Sequence, residues 1–367
     1  MAIWKIDELG EFVTLKRGYD LPQQKRKNGE IPIFSSSGVT GTHNEAMVEA
    51  PGVITGRYGT IGEVFFAETS FWPLNTTLYV ENFHENDEKF VYYFLKTLEW
   101  KKFASASAVP GINRNTVHKE IVRFPDFETQ QKIASVLSTI DKKIAVNKAI
   151  NDNLYAQVKA IFSENFLDLD FLPDGWKTGN LLDIADYSNG LAMQKYRPKD
   201  GETGLPVLKI KELRQGICDA SSELCSPSIK SEYIIHDGDI IFSWSGSLLV
   251  DIWCGGTCGL NQHLFKVTSN NYDKWFYYLW TAHHLDRFIA VAADKATTMG
   301  HIKREELEKV EVIIPSKCDY KRIGALIKPL FDLIISNRIE DRKLTALRNT
   351  LLPKIMSGEI DVCDIQL

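Results

Sequence analysis

Two stretches of the chain place apolar residues at alternating steps of four and three, which is the heptad pattern of paired helices. The first stretch consists of Ile133, Leu137, Ile140, Ile144, Asn147, Asn151, Leu154, Val158 and Ile161. The second, at an offset of 190, consists of Ile323, Ile327, Leu330, Ile334, Asn337, Asp341, Leu344, Arg348 and Leu351. About 30 residues in a helix form a rod of roughly 45 Å. The pattern predicts two long helices that pair, and two separate helices, each packed on its own globular unit, are the alternative.

Polar residues interrupt both apolar seams at the same two steps, Asn147 and Asn151 in the first and Asn337 and Asp341 in the second. Polar seam residues cost stability but fix register and partner, so we predict that these four set the register of a coiled coil. Each rod follows a globular part, so a compact two-fold arrangement pairs the rods antiparallel. Pro329 lies inside the second rod and is expected to bend it or to break it in two.

The globular parts of the chain repeat as well. Trp4 and Gly18 match Trp176 and Gly190 at an offset of 172. Three further segments match in order, namely 52–60 with 238–246 and 74–78 with 260–264 at an offset of 186, and 89–94 with 274–279 at 185. Beyond Pro125 and Pro315 the offset stays at 190. A drifting offset indicates loops that tolerate insertions, whereas a constant offset indicates a rigid element whose length matters.

Short runs of β-branched and aromatic residues between glycines and prolines predict strands, for example at 52–55, 78–80 and 240–242. The aromatic-rich stretches 89–95 and 274–280 predict amphipathic helices whose aromatic side chains belong to the core. The predicted fold class is therefore α+β, with two mixed α/β domains separated by two long helices. These helices form an antiparallel coiled coil, and the whole is a pseudo-two-fold internal repeat.

Composition limits the functions that the chain could have. With 367 residues, of which 44% are hydrophobic, it is large enough for two cored domains. It has no apolar run long enough to span a membrane and no basic-then-apolar signal after Met1, so we expect a cytoplasmic protein. All six cysteines lie in the second half of the repeat and are expected to be reduced. The net charge of -5 argues against a nucleic-acid binder that acts alone.

Motifs that carry catalysis or bind cofactors do not occur in the sequence. The glycines Gly56, Gly59 and Gly62 lack the Gly-Lys-Ser/Thr of a nucleotide loop, so a tight turn is the better interpretation. There is no Asn/Asp-Pro-Pro-aromatic tetrapeptide, no nucleophile elbow and no His-Glu-x-x-His. Cys254 and Cys258 are too loosely spaced from other ligands to predict zinc. No catalytic residue and no metal site is predicted, which disfavours a stand-alone enzyme.

Three motifs give the chain a resemblance to a known family. The segment 351–360 (Leu-Leu-Pro-Lys-Ile-Met-Ser-Gly-Glu-Ile), the segment 128–134 (Glu-Thr-Gln-Gln-Lys-Ile-Ala) and the segment 110–113 (Pro-Gly-Ile-Asn) resemble those of specificity subunits of Type I restriction–modification systems. The resemblance covers essentially the whole chain. The second rod departs from it, since 318–321 (Cys-Asp-Tyr-Lys) replaces the Glu-x-Gln-Gln opening, and that rod is expected to start differently.

The resemblance implies a division into target-recognition domain 1 (1–127), helical spacer 1 (128–168), target-recognition domain 2 (169–315), and helical spacer 2 with the C-terminal tail (316–367). Each recognition domain would read one half of a bipartite, asymmetric target in double-stranded DNA. The helices would set the spacing and dock two DNA methyltransferase subunits, with restriction–translocase subunits joining the complex. S-adenosylmethionine, ATP and Mg²⁺ would bind those partners, so no cofactor is expected in this chain.

Arg, Lys, Asn, Gln, Ser and Thr side chains contact base edges, so we expect such residues, with some aromatic neighbours, to contact DNA. In the first domain they are Ser35, Ser36, Ser37, Thr40, Arg57, Tyr58, Asn75, Thr76, Asn113, Arg114 and Asn115. In the second domain they are Lys209, Lys211, Arg214, Ser243, Trp244, Ser245, Asn261, Gln262, His263, Lys295 and His301. A solvated loop is the alternative for each of them, and a hydrogen-bonded structural histidine is the alternative for His263.

Basic clusters at 25–27 and 195–199 are expected to face phosphates or solvent. Other functions also stay open from the residues alone. The main one is a coiled-coil adaptor that binds proteins without DNA specificity, and a carbohydrate-binding repeat would be another use of the aromatic residues.

Overall fold

The computed structural model describes residues 3–105, 110–294 and 302–362. The chain divides into two compact units, one formed by Met1–Lys143 with Leu344–Leu367 and the other by Ile144–Lys343. Each unit contains one globular domain and a segment of each of two long helices. The predicted α+β class with an internal repeat is confirmed. The predicted boundaries of the recognition domains and spacers stay predictions.

The first unit contains mostly short strands. They are β1 (Trp4–Glu8), β2 (Thr14–Arg17), β3 (Ile31–Ser35), β4 (Gly38–His43), β5 (Gly52–Gly56), β6 (Val64–Ala67), β7 (Trp72–Pro73), β8 (Thr77–Asn82) and β9 (Ile121–Pro125). Its helices are α1 (Leu9–Phe12), α2 (Glu88–Thr97), α3 (Arg114–His118) and the first part of α4 (Phe127–Phe162). The strands form sheets in the orders β2-β8-β5-β6, β4-β3-β7 and β1-β9.

The second unit repeats this arrangement. Its strands are β10 (Lys177–Gly179), β11 (Asp186–Asn189), β12 (Leu205–Leu208), β13 (Leu224–Cys225), β14 (Ile234–Ile235), β15 (Asp239–Ser243), β16 (Leu249–Trp253), β17 (Cys258–Leu260), β18 (Leu264–Thr268) and β19 (Val312–Ile314). Its helices are α5 (Leu181–Ile184), α6 (Ile210–Gln215), α7 (Lys274–His283), α8 (Leu285–Asp294), α9 (Glu305–Glu308) and most of α10 (Lys317–Met356). The sheet orders are β11-β18-β15-β16, β13-β12-β17-β14 and β10-β19.

Single turns of other helix types complete the description. The 3₁₀ turns are Gln23–Lys25, Trp100–Phe103, Met193–Lys195 and Ser231–Tyr233, and a π-helical turn follows α4 at Ser163–Leu167. The aromatic helices α2 and α7 pack into the cores of their units, as predicted, since residues such as Phe90, Tyr93, Trp275 and Phe276 are buried. The cysteines of the described residues are unpaired by disulfides.

Strand pairing shows how the two units correspond. Lys5 pairs with Phe124 and Lys177 with Ile314, in agreement with the predicted offsets of 172 and 190. In the central sheets, however, Thr55 pairs with Leu78 and Phe242 with Phe265, so both partners differ by 187. The predicted offset of 186 for the segments 52–60 and 74–78 is therefore wrong by one position. The error has a physical cause, because β5 is buried along its whole length and has no polar–apolar alternation to indicate its register.

A turn glycine confirms the corrected offset. Gly59 and Gly246, related by the offset of 187, both have a positive φ, of 78° and 66°. Residues with a side chain rarely adopt this backbone conformation, so the same turn is built in both units. Arg57 and Trp244 therefore occupy equivalent positions, as do Tyr58 and Ser245.

The long helices have 36 residues in α4 and 40 in α10. Most predicted seam positions are buried, including Ile133, Leu137, Ile144, Leu154, Val158, Ile323, Ile327 and Ile334. Of the two effects expected of Pro329, the break is wrong, because α10 continues through it, and the bend stays a prediction. Pro329 is exposed, whereas Ile327 and Phe331 on either side are almost fully buried. Their packing outweighs the loss of one backbone hydrogen bond.

In the second unit, the polar seam residues pair with each other across the two helices. The Asn147 side-chain amide donates to the Asp341 carboxylate over 2.8 Å and to the Glu340 carboxylate over 2.7 Å. The Asn337 amide donates to the Asn151 side-chain oxygen over 3.0 Å. Residue numbers rise along one helix as they fall along the other, so these segments run antiparallel. Their role in fixing register stays a prediction.

In the first unit, an ion pair links the same two helices. Arg348 donates to Asp141 over 2.6 Å, and the Tyr93 hydroxyl of α2 donates to the same carboxylate over 2.7 Å. Burial and this hydrogen bond raise the pKa of Tyr93, so its hydroxyl keeps its proton. These segments are antiparallel as well, because Ile133 and Leu137 share a core cluster with Leu352 and Ile355.

Each long helix is anchored to its domain by a side chain that accepts a hydrogen bond from a backbone N–H, and the two side chains are of different types. In α4, the buried Gln130 accepts a hydrogen bond from the backbone N–H of Asp87, 2.9 Å away. In α10, the hydroxyl of Tyr320 accepts from the backbone N–H of Asp273, 2.7 Å away. Tyr320 matches Gln130 at the offset of 190, and both helices begin at equivalent residues, Phe127 and Lys317. The expectation that the second rod starts differently is therefore wrong for the backbone and holds only for the anchoring side chain.

Replacing Gln130 with alanine is expected to destabilise the first unit. The change removes the partner of the Asp87 N–H, of the Pro125 carbonyl and of the Asn86 side chain. Buried groups left without partners cost about 1–3 kcal/mol. Urea unfolding followed by fluorescence would measure the loss, with the exposed neighbour Gln131→Ala as the matched control. Equal effects of the two substitutions would contradict this assignment.

Asn147→Ala is expected to destabilise the second unit by about 1–3 kcal/mol, because the part-buried Asp341 carboxylate loses its amide donor. The exposed Asn153→Ala on the same helix is the control. The double substitution Asn147→Leu with Asp341→Leu should restore much of the stability, since it removes both polar partners at once. Thermal unfolding distinguishes these outcomes. A double variant that is less stable than Asn147→Ala would contradict the proposal that the lost hydrogen bond to Asp341 causes the destabilisation.

Candidate nucleic-acid interface

Four loops of the first domain come together at one site, which we call the first loop cluster (residues 35–37, 57–59, 74–76 and 111–113). The backbone N–H of Arg57 donates to the Thr76 carbonyl over 2.8 Å, and that of Ile112 donates to the Arg57 carbonyl over 3.0 Å. A Cβ built on Gly56 would lie 3.1 Å from the Ser36 side chain. The structure thus brings together candidates that were chosen from four separate parts of the sequence.

Two contacts within the described residues hold the side chain of Arg57 in place. Its Nε donates to the Ile112 carbonyl over 3.2 Å, and its guanidinium carbon lies 4.4 Å from the centre of the Tyr58 ring. The Tyr58 ring in turn lies against Gly111, where a Cβ would be 2.1 Å from a ring carbon, so a larger residue does not fit. Two parallel N–H groups of a fixed guanidinium match O6 and N7 of guanine, so this side chain suits base recognition.

Other candidates of the first domain make contacts within it. Asn75 donates to the Asp20 carboxylate, and Ser35 donates to the Gly38 carbonyl over 3.2 Å. Asn113 caps α3 by accepting from the N–H of Asn115. The hydroxyls of Ser37 and Ser35 are hydrogen-bonded to each other, and Arg114 donates to the Leu15 carbonyl over 3.5 Å. The Thr76 hydroxyl is buried, and Thr40 is exposed on β4, outside the four loops.

The second domain has an equivalent second loop cluster (residues 208–210, 244–246, 261–263 and 302–304). Here the N–H of Asn261 donates to the Leu208 carbonyl and that of Ile302 to the Trp244 carbonyl, both over 3.1 Å. The Ser245 hydroxyl lies 3.2 Å from Nδ1 of His263. His263 is exposed and lies 3.3 Å from the Gln262 amide, so these two side chains lie at the surface of the cluster.

Three candidates of the second domain are not exposed as a base contact requires. Ser243 is completely buried, and its hydroxyl donates to the Ser247 carbonyl over 2.9 Å. Ser245 and Asn261 are also buried, and the Asn261 side chain accepts from the N–H of His263. Their burial does not favour a base contact by these three, and small polar residues at the end of a strand serve equally well to close a turn. They shape the two loops that carry Trp244 and His263.

Acidic neighbours pair with the lysines proposed beside α6. Lys209 forms an ion pair with Glu223, and this contact holds the pKa of the Glu223 carboxyl below its usual value. Lys211 lies 3.8 Å from Asp219 and donates to Ser221. Arg214 is exposed on the same helix. Paired lysines contribute less to DNA attraction than their number suggests.

The candidates Lys295 and His301 lie outside the described residues.

The sequence interpretation missed two cationic residues of the second loop cluster. Ile302 matches Ile112 at the offset of 190 and makes the same backbone hydrogen bond. Lys303 and Arg304 therefore occupy the positions of Asn113 and Arg114, which had been chosen in the first domain. The constant offset of 190 was the signal that could have found them.

Comparison with known proteins identifies the family of this chain. The model of the type I restriction modification DNA specificity domain matches residues 1–156 and 173–345. The chain belongs to this family. Membership agrees with the resemblance carried by the three motifs and does not favour a protein-binding adaptor without DNA specificity. The two matched ranges also agree with the internal repeat.

Individual relatives cover most of the chain. The type I restriction enzyme MjaIX specificity subunit of Methanocaldococcus jannaschii is 27% identical, over 96% of this chain and 84% of its own length. The HindI specificity subunit of Haemophilus influenzae is 19% identical, over 72% of this chain and 75% of its own length. The crystal structure of a type-I restriction-modification system S subunit from M. genitalium has a TM-score of 0.66 at 16% identity and covers 96% of both chains, which shows a shared fold.

Neither a metal-binding cluster nor a membrane-spanning helix occurs among the described residues. No group of three or more His, Cys, Asp or Glu side chains there is arranged to hold a metal ion. Likewise, the helices between residues 3 and 362 that the structure describes include none with the length and apolarity of a membrane span.

Arg57→Ala is expected to impair recognition of one DNA half-site and to leave assembly with methyltransferase subunits intact. Arg57→Lys should be almost as harmful, because an ammonium group cannot make the paired contact of a guanidinium. Arg123→Lys is a matched control, since Arg123 also lies over an aromatic ring, that of Trp4, but outside the loop cluster. Mapping of methylated adenines would measure half-site selectivity. Loss of assembly, or unchanged selectivity, would contradict the assignment of Arg57.

Proposed function

We propose that this chain is the non-catalytic DNA sequence-recognition subunit of a Type I restriction–modification complex. Each domain reads one half of a bipartite target through its loop cluster. The enzyme it serves is a multisubunit DNA adenine methyltransferase and ATP-dependent endonuclease that acts in the cytoplasm. S-adenosylmethionine, ATP and Mg²⁺ bind the partner subunits rather than this chain.

One observation carries the proposal that the two half-sites differ. The two loop clusters share their backbone hydrogen bonds, yet equivalent positions hold Arg57 and Trp244, and Asn113 and Lys303. Side chains of different hydrogen-bonding type select different bases when they are presented by the same backbone. Two identical half-sites would require the same chemistry at these positions, so we infer an asymmetric target.

The long helices provide a surface on which methyltransferase subunits could dock. In the second unit, Val146 and Ile150 on α4 and Leu326 and Leu333 on α10 are between 41% and 53% exposed. They lie four and seven residues apart, so each pair follows one face of its helix. Apolar side chains exposed in a row are typical of protein contact surfaces. We therefore assign methyltransferase docking and the setting of half-site spacing to these helices.

Charge supports a division of labour between this chain and its partners. The net charge is -5, and the acidic side chains Glu223 and Asp219 pair with lysines near the second loop cluster. Affinity for DNA comes largely from neutralising phosphates. We propose that the partner subunits supply most of this attraction, while this chain supplies the base contacts.

Copurification with methyltransferase subunits, followed by mapping of methylated adenines in the DNA of the host cell, tests the proposed function. We expect a bipartite motif with a fixed gap and two different halves. A host lacking this chain but retaining the methyltransferase should lose methylation at that motif. Methylation that persists there, or copurification without any sequence preference, would refute the proposal.

DNA binding by the isolated chain is expected to be weak at physiological salt. Because the chain has a net charge of -5, its Kd should be about 10⁻⁶ M or weaker, as in non-specific binding. The assembled complex should bind its target at least about a hundredfold more tightly. Fluorescence anisotropy with a duplex that carries the mapped target would measure both, and a duplex with both halves scrambled is the control. Tight, specific binding by the lone chain would contradict this account.

A further inference from the structure

We propose that Lys303 and Arg304, together with the pocket beside Trp244, form a base-reading site of the second domain, and that this site takes the methyl-bearing edge of a thymine. The inference rests on the proposed function, because it concerns how the second domain reads its half-site. It concerns residues that the sequence interpretation did not select, apart from Trp244.

Backbone geometry places these residues where the first domain presents its own candidates. The N–H of Ile302 donates to the Trp244 carbonyl over 3.1 Å, as the N–H of Ile112 donates to the Arg57 carbonyl over 3.0 Å. In both units a short helix begins within the next three residues, α9 at Glu305 in the second and α3 at Arg114 in the first. Lys303 and Arg304 are exposed at this point. They are thus presented next to Trp244, as Asn113 and Arg114 are presented next to Arg57.

A pocket of about 250 Å³ lies between these groups. It is lined by Asn189, Trp244, Phe265, Ile302, Lys303 and Arg304. The Trp244 and Phe265 rings lie 5.7 Å apart at an angle of 33°, and Ile302 is buried, so the floor of the pocket is apolar. Asn189, Lys303 and Arg304 are exposed, so hydrogen-bond donors surround the opening.

This combination matches thymine better than the other bases. In the major groove thymine presents a methyl group beside the O4 acceptor, whereas guanine presents two acceptors and cytosine presents a donor. The methyl group would lie against Trp244, Phe265 and Ile302, and O4 would accept from Lys303 or Arg304. In the first domain the position of Trp244 holds the guanidinium of Arg57, which suits guanine. The pocket therefore accounts for a difference between the two half-sites.

The alternative is that the two cations contact only phosphates, which would position the DNA without selecting a base. The two cases differ in what a substitution does. Loss of a phosphate contact weakens binding to every sequence and reduces its dependence on salt, whereas loss of a base contact relaxes the preference at one position.

The test uses the chain assembled with its methyltransferase subunits and duplexes selected from a random library. Each thymine of the selected target is replaced in turn by deoxyuridine, which lacks only the methyl group. We expect one thymine, in the half-site that Arg57→Ala leaves unaffected, where this replacement weakens binding by at least about fivefold. Trp244→Ala should abolish that difference between thymine and deoxyuridine.

Surface substitutions keep the test decisive if Trp244→Ala fails to fold. Arg304→Gln and Lys303→Gln should relax the preference at that same base pair, while Arg287→Gln, on the exposed face of α8 and outside the pocket, should not. Uniform weakening by Arg304→Gln and Lys303→Gln, or no thymine that responds to deoxyuridine, would overturn the inference and leave the proposed function intact. A wild-type complex that selects no bipartite target would overturn both.

Discussion

A pair of backbone hydrogen bonds determines what the rest of each loop cluster can do. Ile112 donates to Arg57 in the first domain and Ile302 to Trp244 in the second, through main-chain atoms alone. A main-chain contact does not depend on the side chains that follow it, so the loop keeps its place when those side chains change. This explains how an arginine and a tryptophan stand at equivalent positions of one fold. Selectivity can vary while the scaffold remains the same.

The same separation of backbone from side chain appears where the long helices begin. Gln130 and Tyr320 share neither shape nor charge distribution, yet each offers an oxygen to the N–H of an aspartate that precedes an aromatic helix. The two repeats share a backbone N–H at the same place, and in each repeat a side chain of the long helix accepts its hydrogen bond. A motif defined by residue identity misses this equivalence, whereas the constant offset of 190 finds it.

Much of the architecture could be predicted from sequence because periodicity reports burial directly. The seam residues, the aromatic helices and the offsets of 172 and 190 all follow from this. The register of β5 could not be predicted, since a strand buried on both faces has no alternation to fix it. At the candidate site, glycine-rich turns predicted the converging loops, but not the burial of Ser243 or the ion pair of Lys209 with Glu223. Those depend on neighbours that are distant in sequence or brought close by a turn.

Differences between the repeats extend from the loops to the helices. Asp141 of the first unit, bonded by Arg348 and Tyr93, corresponds at the offset of 190 to Phe331 of the second, which packs against Tyr278. Arg348 corresponds in the same way to Val158, which is buried. If α4 paired antiparallel with a second copy of itself in the same register, Asp141 would face Val158 and would lose the guanidinium of Arg348. Removing one partner of a part-buried ion pair is unfavourable, so the chemistry of the seam favours pairing of α4 with α10 over pairing of like helices. This preference agrees with the proposed asymmetric target, which needs two different recognition domains in one molecule.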